Sequence, residues 1–160
     1  MGSKADVIIV GGGPCGSFSA YRMAKLGVDV LVCEEHSEIG FPSHCAGHVS
    51  LQGLKQLGLR LPKKVVENEI RSVIFYSPSG NEFKVKFAAP VTCVLDRMLF
   101  DRFLAGLAEE AGAVYRLCTK VDSFLFDSGR VSGVSTNHEA LKSKLVIDCE
   151  GCSSLLLKKV

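Results

Sequence analysis

The stretch Asp6-Val7-Ile8-Ile9-Val10-Gly11-Gly12-Gly13-Pro14-Cys15-Gly16 decides how this chain is read. Residues 6–10 are mostly apolar and β-branched, the pattern of a strand buried on both faces of a parallel sheet. Gly11, Gly13 and Gly16 then match the spacing G-x-G-x-x-G. Pro14 suits the first turn of a helix that runs to residue 26, and Gly27 suits its end. Residues 28–33 form a second apolar run. Strand, helix and strand in so short a span make a βαβ unit.

The glycines have separate reasons to be glycine. Gly11 turns the chain sharply out of the strand. Gly13, having no Cβ, lets a pyrophosphate approach the backbone, and Gly16 lets the helix pack closely. The helix N-terminus presents N–H groups and a partial positive charge to phosphates. Glu34 ends the second strand, eighteen residues after Gly16, where a carboxylate can accept from the adenosine ribose hydroxyls. Glu35 is adjacent, but strand alternation favours Glu34. An acid here repels a 2′-phosphate and disfavours NADP. A glycine-rich turn without ligand is the plain alternative; the flanking strand, helix and acid argue against it. FAD and NAD both use this fingerprint.

Outward from the unit, residues 35–48 have no clear period and read as an ordered loop around Gly40, Pro42 and Gly47. Leu51, Leu54 and Leu57 mark a short amphipathic helix ending at Gly58. Residues 73–76, 82–87 and 91–95 read as a hairpin, turning at Ser77-Pro78-Ser79-Gly80, with a third strand. Asp96 is placed to cap a helix over 97–111 that Gly112 ends. Residues 113–116 form a short strand, and 121–126 and 131–136 a hairpin about Asp127-Ser128-Gly129-Arg130. Residues 144–148 are another buried strand, and 151–154 open a helix. The fold class is α/β: a Rossmann-like βαβ domain with a parallel sheet plus antiparallel hairpins.

Composition narrows the rest. A chain of 160 residues, 47% hydrophobic, can build one domain with a real core. Net charge is +2 without a Lys/Arg block, so nucleic acid is not an expected partner. No apolar run has transmembrane length, and residues 1–4, left out of the argument, lack a signal-peptide pattern. The seven cysteines are odd in number and irregularly spaced, which reads as reduced thiols in a cytoplasm. Cys149-x-x-Cys152 has redox-pair spacing but stands at a strand-to-helix turn with no other thioredoxin feature. His44, Cys45 and His48, with His36 distant, do not match zinc spacings, so no metal is expected.

Three further segments carry a resemblance. They are Glu38-Ile39-Gly40-Phe41-Pro42-Ser43-His44-Cys45-Ala46-Gly47, Leu95-Asp96-Arg97-Met98-Leu99-Phe100-Asp101 and Val146-Ile147-Asp148-Cys149-Glu150-Gly151-Cys152-Ser153-Ser154. With the fingerprint they resemble the geranylgeranyl reductase family, within the FAD enzymes that include aromatic hydroxylases. The resemblance covers nearly the whole chain and implies FAD as cofactor and an isoprenoid lipid as substrate. It implies reduction of isoprenoid double bonds in lipid biosynthesis and peripheral contact with a membrane. By resemblance, Arg97 reaches the FAD from the start of the long helix; an Arg97–Asp101 surface pair is the alternative. Cys45 and Ala46 belong to the loop near the flavin ring, and Glu150-Gly151 stands where the family has Asp-Gly. The implied cofactor-binding set is Gly11, Gly13, Pro14, Cys15, Gly16, Glu34, Glu35, Cys45, Ala46, Arg97, Glu150 and Gly151, with no catalytic residue named beyond Cys45 beside the flavin. Residues 1–160 would be the N-terminal part of an FAD-binding domain, with 70–93 the start of a β-sheet substrate region. The family's C-terminal half is not in the sequence, so a missing half or partner subunit is expected. A flavin monooxygenase or halogenase fragment and a non-catalytic nucleotide-binding remnant are the competing expectations.

Overall fold

The computed structural model describes residues 4–43, 45–153 and 155–159. In chain order the elements are β1 (Lys4–Val10), α1 (Pro14–Ala24), β2 (Val30–Cys33), β3 (His48–Ser50), α2 (Leu51–Gln56), β4 (Val66–Ile70), β5 (Ser72–Tyr76), β6 (Glu82–Lys86), β7 (Thr92–Leu95), α3 (Arg97–Glu110), β8 (Val114–Arg116), β9 (Val121–Asp127), β10 (Arg130–Thr136) and β11 (Ala140–Asp148). They fall into two compact units, one of Met1–Phe41 with Asp101–Val160 and one of Pro42–Phe100.

The first unit is built on a six-stranded sheet in the order β8-β2-β1-β11-β10-β9. β8, β2, β1 and β11 run parallel; β10 and β9 are added antiparallel. The apolar run of β1 is buried on both faces, as its composition predicts. Ile8 and Val10 pack with Leu31, Val134, Leu141 and Leu156 on one face. Val7 and Ile9 pack with Val30, Val32, Ala20, Ala24 and Ala108 on the other, which carries α1 and α3. Ile8 and Ile9 are fully buried, each a contribution of about 2–3 kcal/mol from apolar transfer. Alanines at the helix–sheet contacts allow close approach.

β11 begins at Ala140, earlier than the apolar run 144–148. Its first half, Ala140-Leu141-Lys142-Ser143, alternates instead: Leu141 and Ser143 face inward while Lys142 is exposed. That half-buried stretch pairs with β10. The expected helix after Gly151 is replaced by two 3-10 turns, Gly151–Ser153 and Leu157–Lys159. The reason is local: Glu150 Oε1 accepts from the Leu156 N–H at 2.8 Å, and Leu156 is buried in the core. His44 and Ser154 lie outside the described residues.

In the second unit β7 lies between β3 and β4 in an antiparallel sheet. The third strand read from 91–95 therefore does not extend the hairpin. β5 and β6 form their own two-stranded sheet, with Phe75 and Phe83 stacked across it at 4.7 Å. β3 escapes a periodicity reading because it has three residues, and β4 because Val66-Glu67-Asn68-Glu69-Ile70 is charged and exposed at its centre. No helix among the described residues is long and apolar enough to cross a membrane.

Candidate functional site: the fingerprint loop and its carboxylate

The carboxyl ends of β1, β2 and β11 converge on the loop that opens α1. Gly11 N–H donates to the Cys33 carbonyl at 2.8 Å, and Cys149 N–H to the Val10 carbonyl at 2.8 Å. Gly11 takes φ +95°, and a Cβ there would lie 2.6 Å from the Cys149 carbonyl oxygen. A Cβ on Gly16 would fall on the Gly11 carbonyl oxygen, so its glycine is needed for packing. Gly13 differs: its backbone is extended (φ −69°) and a Cβ would meet nothing within 4 Å. The space beside Gly13 is open, as a phosphate cradle requires.

α1 starts at Pro14, whose missing N–H is no loss at N1. The first-turn amides of Cys15 and Gly16 have no intrahelical acceptor by geometry, and α1 has no acidic residue in that turn. The loop is braced from behind. Ser17, fully buried, donates to the Gly12 carbonyl at 2.9 Å, and Tyr115 of β8 donates to Ser17 Oγ at 2.9 Å. Burial pushes the Tyr115 phenol up to about 12, against the lowering effect of its hydrogen bond with Ser17. Ser17 and Tyr115 were not among the residues singled out from sequence. The pair is separated by 98 positions, and no motif joins them.

Glu34 is buried, and its carboxylate faces the loop: Oε2 accepts from the Gly12 N–H at 2.7 Å. Oε1 accepts from the His36 N–H at 2.9 Å and from His36 Nδ1 at 2.6 Å. Glu35 is exposed, 3.9 Å from Lys120. The two acids follow the end of β2, Glu34 turned inward and Glu35 outward. Gly12, a free position in the motif, has its own requirement here, because a Cβ would lie 2.7 Å from Ile39 Cδ1 and 3.3 Å from Glu34 Cβ.

At the end of β11, Glu150 N–H donates to Asp148 Oδ1 at 3.0 Å. One oxygen of the Glu150 carboxylate is committed to Leu156 N–H, and Gly151 takes φ +80°. Cys149 is half-buried, and burial raises its thiol above the usual range, with smaller contributions from Cys15 and Asp148. Cys152 is exposed and both thiols are free.

Cys45, Ala46 and Arg97 lie in the second unit. Gly47 N–H donates to Cys45 Sγ at 3.5 Å. Gly47 takes φ +71°, and its carbonyl accepts from Leu95 N–H at 2.9 Å. The loop bearing Cys45 and Ala46 is thereby tied to the strand that ends two residues before Arg97. Asp96 caps α3 as read from sequence, its Oδ1 accepting from Leu99 N–H at 2.9 Å. His48 is turned to Thr92, with Nε2 2.7 Å from Oγ1. Among the described residues no group of three His, Cys, Asp or Glu could hold a metal ion.

The family model described as FAD binding domain matches residues 4–160. The chain belongs to this FAD-binding family. The cofactor is therefore FAD, and the fingerprint loop has features that fit it: open backbone at Gly13, a helix N-terminus without acid, and a carboxylate just past β2. The chain is 37% identical to a digeranylgeranylglycerophospholipid reductase of Methanopyrus kandleri, over 93% of this chain and 38% of the relative. A geranylgeranyl bacteriochlorophyll reductase-like protein of Thermoplasma acidophilum superposes with a TM-score of 0.91 at 30% identity, over 98% of this chain and 41% of that one. A flavin-dependent brominase gives a TM-score of 0.75 at 27% identity, over 94% and 39%. The chain thus spans about two fifths of the length of these relatives. The resemblance to geranylgeranyl reductases read from the motifs agrees with these similarities.

Proposed function

We propose that this chain is the FAD-holding portion of a reductase of isoprenoid double bonds, acting on geranylgeranyl chains of lipids. The similarity over 93% of the chain to a digeranylgeranylglycerophospholipid reductase carries this reading. Bound in reduced form, FAD supplies hydride to an alkene carbon. The chain's own task is to bind and orient it. The amides at the start of α1 and the open backbone at Gly13 take the pyrophosphate. Glu34 takes the adenosine ribose. In this reading Pro14 and Cys15 shape the phosphate turn. Arg97 offers a guanidinium fork to phosphate or ribityl oxygens, and Cys45 and Ala46 flank the flavin ring. Gly151 admits the cofactor beside the end of β11. Glu150, with one carboxylate oxygen on Leu156 N–H, acts through the turn that follows it. Residues 70–93 begin the substrate region, and a lipid substrate brings the protein to a membrane surface from the cytoplasmic phase. A second polypeptide portion would complete the substrate site.

The test is to supply the FAD-loaded protein, this chain together with the portion that completes the substrate site, with a geranylgeranyl lipid and a chemical reductant and to read product masses. Gain of H2 per double bond is expected. In a parallel assay with oxygen, bromide and an aromatic acceptor, bromination or hydroxylation of the acceptor, with the lipid unchanged in the first assay, would favour the alternative, for which the likeness to the brominase speaks.

A further inference from the structure

We infer that His36 is a specificity-determining residue of the adenosine-ribose subsite, whose ring competes with the ribose diol for the Glu34 carboxylate. The inference rests on FAD being held by Glu34. A carboxylate has about four acceptor positions, two on each oxygen. Three are already used by the chain itself. Gly12 N–H takes one on Oε2; His36 N–H and His36 Nδ1 take two on Oε1. A vicinal diol held by both oxygens needs one position on each. Oε2 has one to give, and Oε1 has none while the ring is in place.

Of the three donors, only the ring is able to leave. The Gly12 amide is locked in a loop braced by Ser17 and Tyr115. The His36 amide belongs to a backbone whose next links are fixed: the His36 carbonyl accepts from Cys118 N–H at 3.0 Å, and the Glu34 carbonyl from Thr119 N–H at 2.8 Å. The His36 side chain is 45% exposed, against 11% for Glu34, so a rotation about χ1 carries the imidazole into water. Ribose binding and the ring contact are mutually exclusive on Oε1. His36 therefore holds the carboxylate in position before the nucleotide arrives and is displaced by a full diol. A sugar with one hydroxyl uses the remaining position on Oε2 and leaves the ring where it is.

The probe is ADP, with 2′-deoxy-ADP as comparison, titrated calorimetrically into the full chain and into His36→Ala, which keeps the backbone N–H. The substitution should tighten ADP binding about two- to fivefold, the range expected for removing one half-exposed polar contact. It should leave 2′-deoxy-ADP binding unchanged. The His36 ring nitrogen signals should move on adding ADP to the unsubstituted chain and stay in place with 2′-deoxy-ADP. Equal or weaker ADP binding by His36→Ala overturns this inference alone, and so does an equal gain with both nucleotides. Failure of the unsubstituted chain to bind ADP overturns both this inference and the FAD reading beneath it.

Discussion

Gly13 and Gly16 belong to one motif, yet their substitution should have opposite consequences. A Cβ at Gly16 collides with the Gly11 carbonyl, so Gly16→Ala should cost about 2–4 kcal/mol of stability as the helix is forced off the strand. A Cβ at Gly13 enters open space on an extended backbone, so Gly13→Ala should leave the melting temperature within a few degrees while weakening FAD binding at least about tenfold. Thermal denaturation and flavin fluorescence titration check both. Sequence alone assigns packing to Gly16 and ligand approach to Gly13, and the structure adds what each position faces, the Gly11 carbonyl in one case and empty space in the other. The same applies to Glu34: its place at the end of β2 is readable, while His36, Ser17 and Tyr115 become relevant only through side-chain reach. Cys33 gives a pH dependence. Burial pushes its thiol up to about 11 from 9.0, with Arg116 opposing. Below pH 9 both folded and unfolded thiols are protonated and nothing changes. As pH rises from 9 toward 11 the unfolded chain loses the proton first, so folding stability falls. Urea unfolding at stepped pH should show that decline, and Cys33→Ala should make it shallower, the raised Cys93 and Cys149 thiols keeping the remainder.

At the scale of elements, local signals succeeded where one residue type sufficed. Asp96 before an apolar stripe announces α3, and its carboxylate does cap the Leu99 amide. Asp96→Ala should therefore destabilise the chain by about 1 kcal/mol, read as a lowered urea midpoint with unchanged slope. The β9–β10 turn is equally legible: Ser128 and Gly129 take φ +49° and +79°, the positive values that a tight hairpin of matching twist needs. Local signals failed where partners decide. β4 carries two glutamates and an asparagine and forms only because β7 lies beside it. The segment after Gly151 has a helix-compatible sequence, but burying Leu156 and satisfying its amide with Glu150 outweigh further helical turns.

For the molecule as a whole, the βαβ start and the parallel sheet followed from the first thirty-four residues, while the strand order did not. That β11 would insert between β1 and β10, bringing its carboxyl end to the fingerprint, rests on contacts more than 130 positions apart in the chain, such as Val10 with Asp148. The hairpin of β5 and β6, legible as a hairpin in the sequence, exposes Ile74, Phe75, Tyr76 and Phe83, an apolar surface that the pattern does not announce. The central claim is that this chain by itself forms an FAD cradle. It is tested most directly by incubating the purified chain with FAD, removing excess by gel filtration and recording the visible spectrum beside a circular dichroism spectrum. A retained flavin band, lost in Gly13→Ala, is the predicted result. A folded chain that emerges colourless would contradict it.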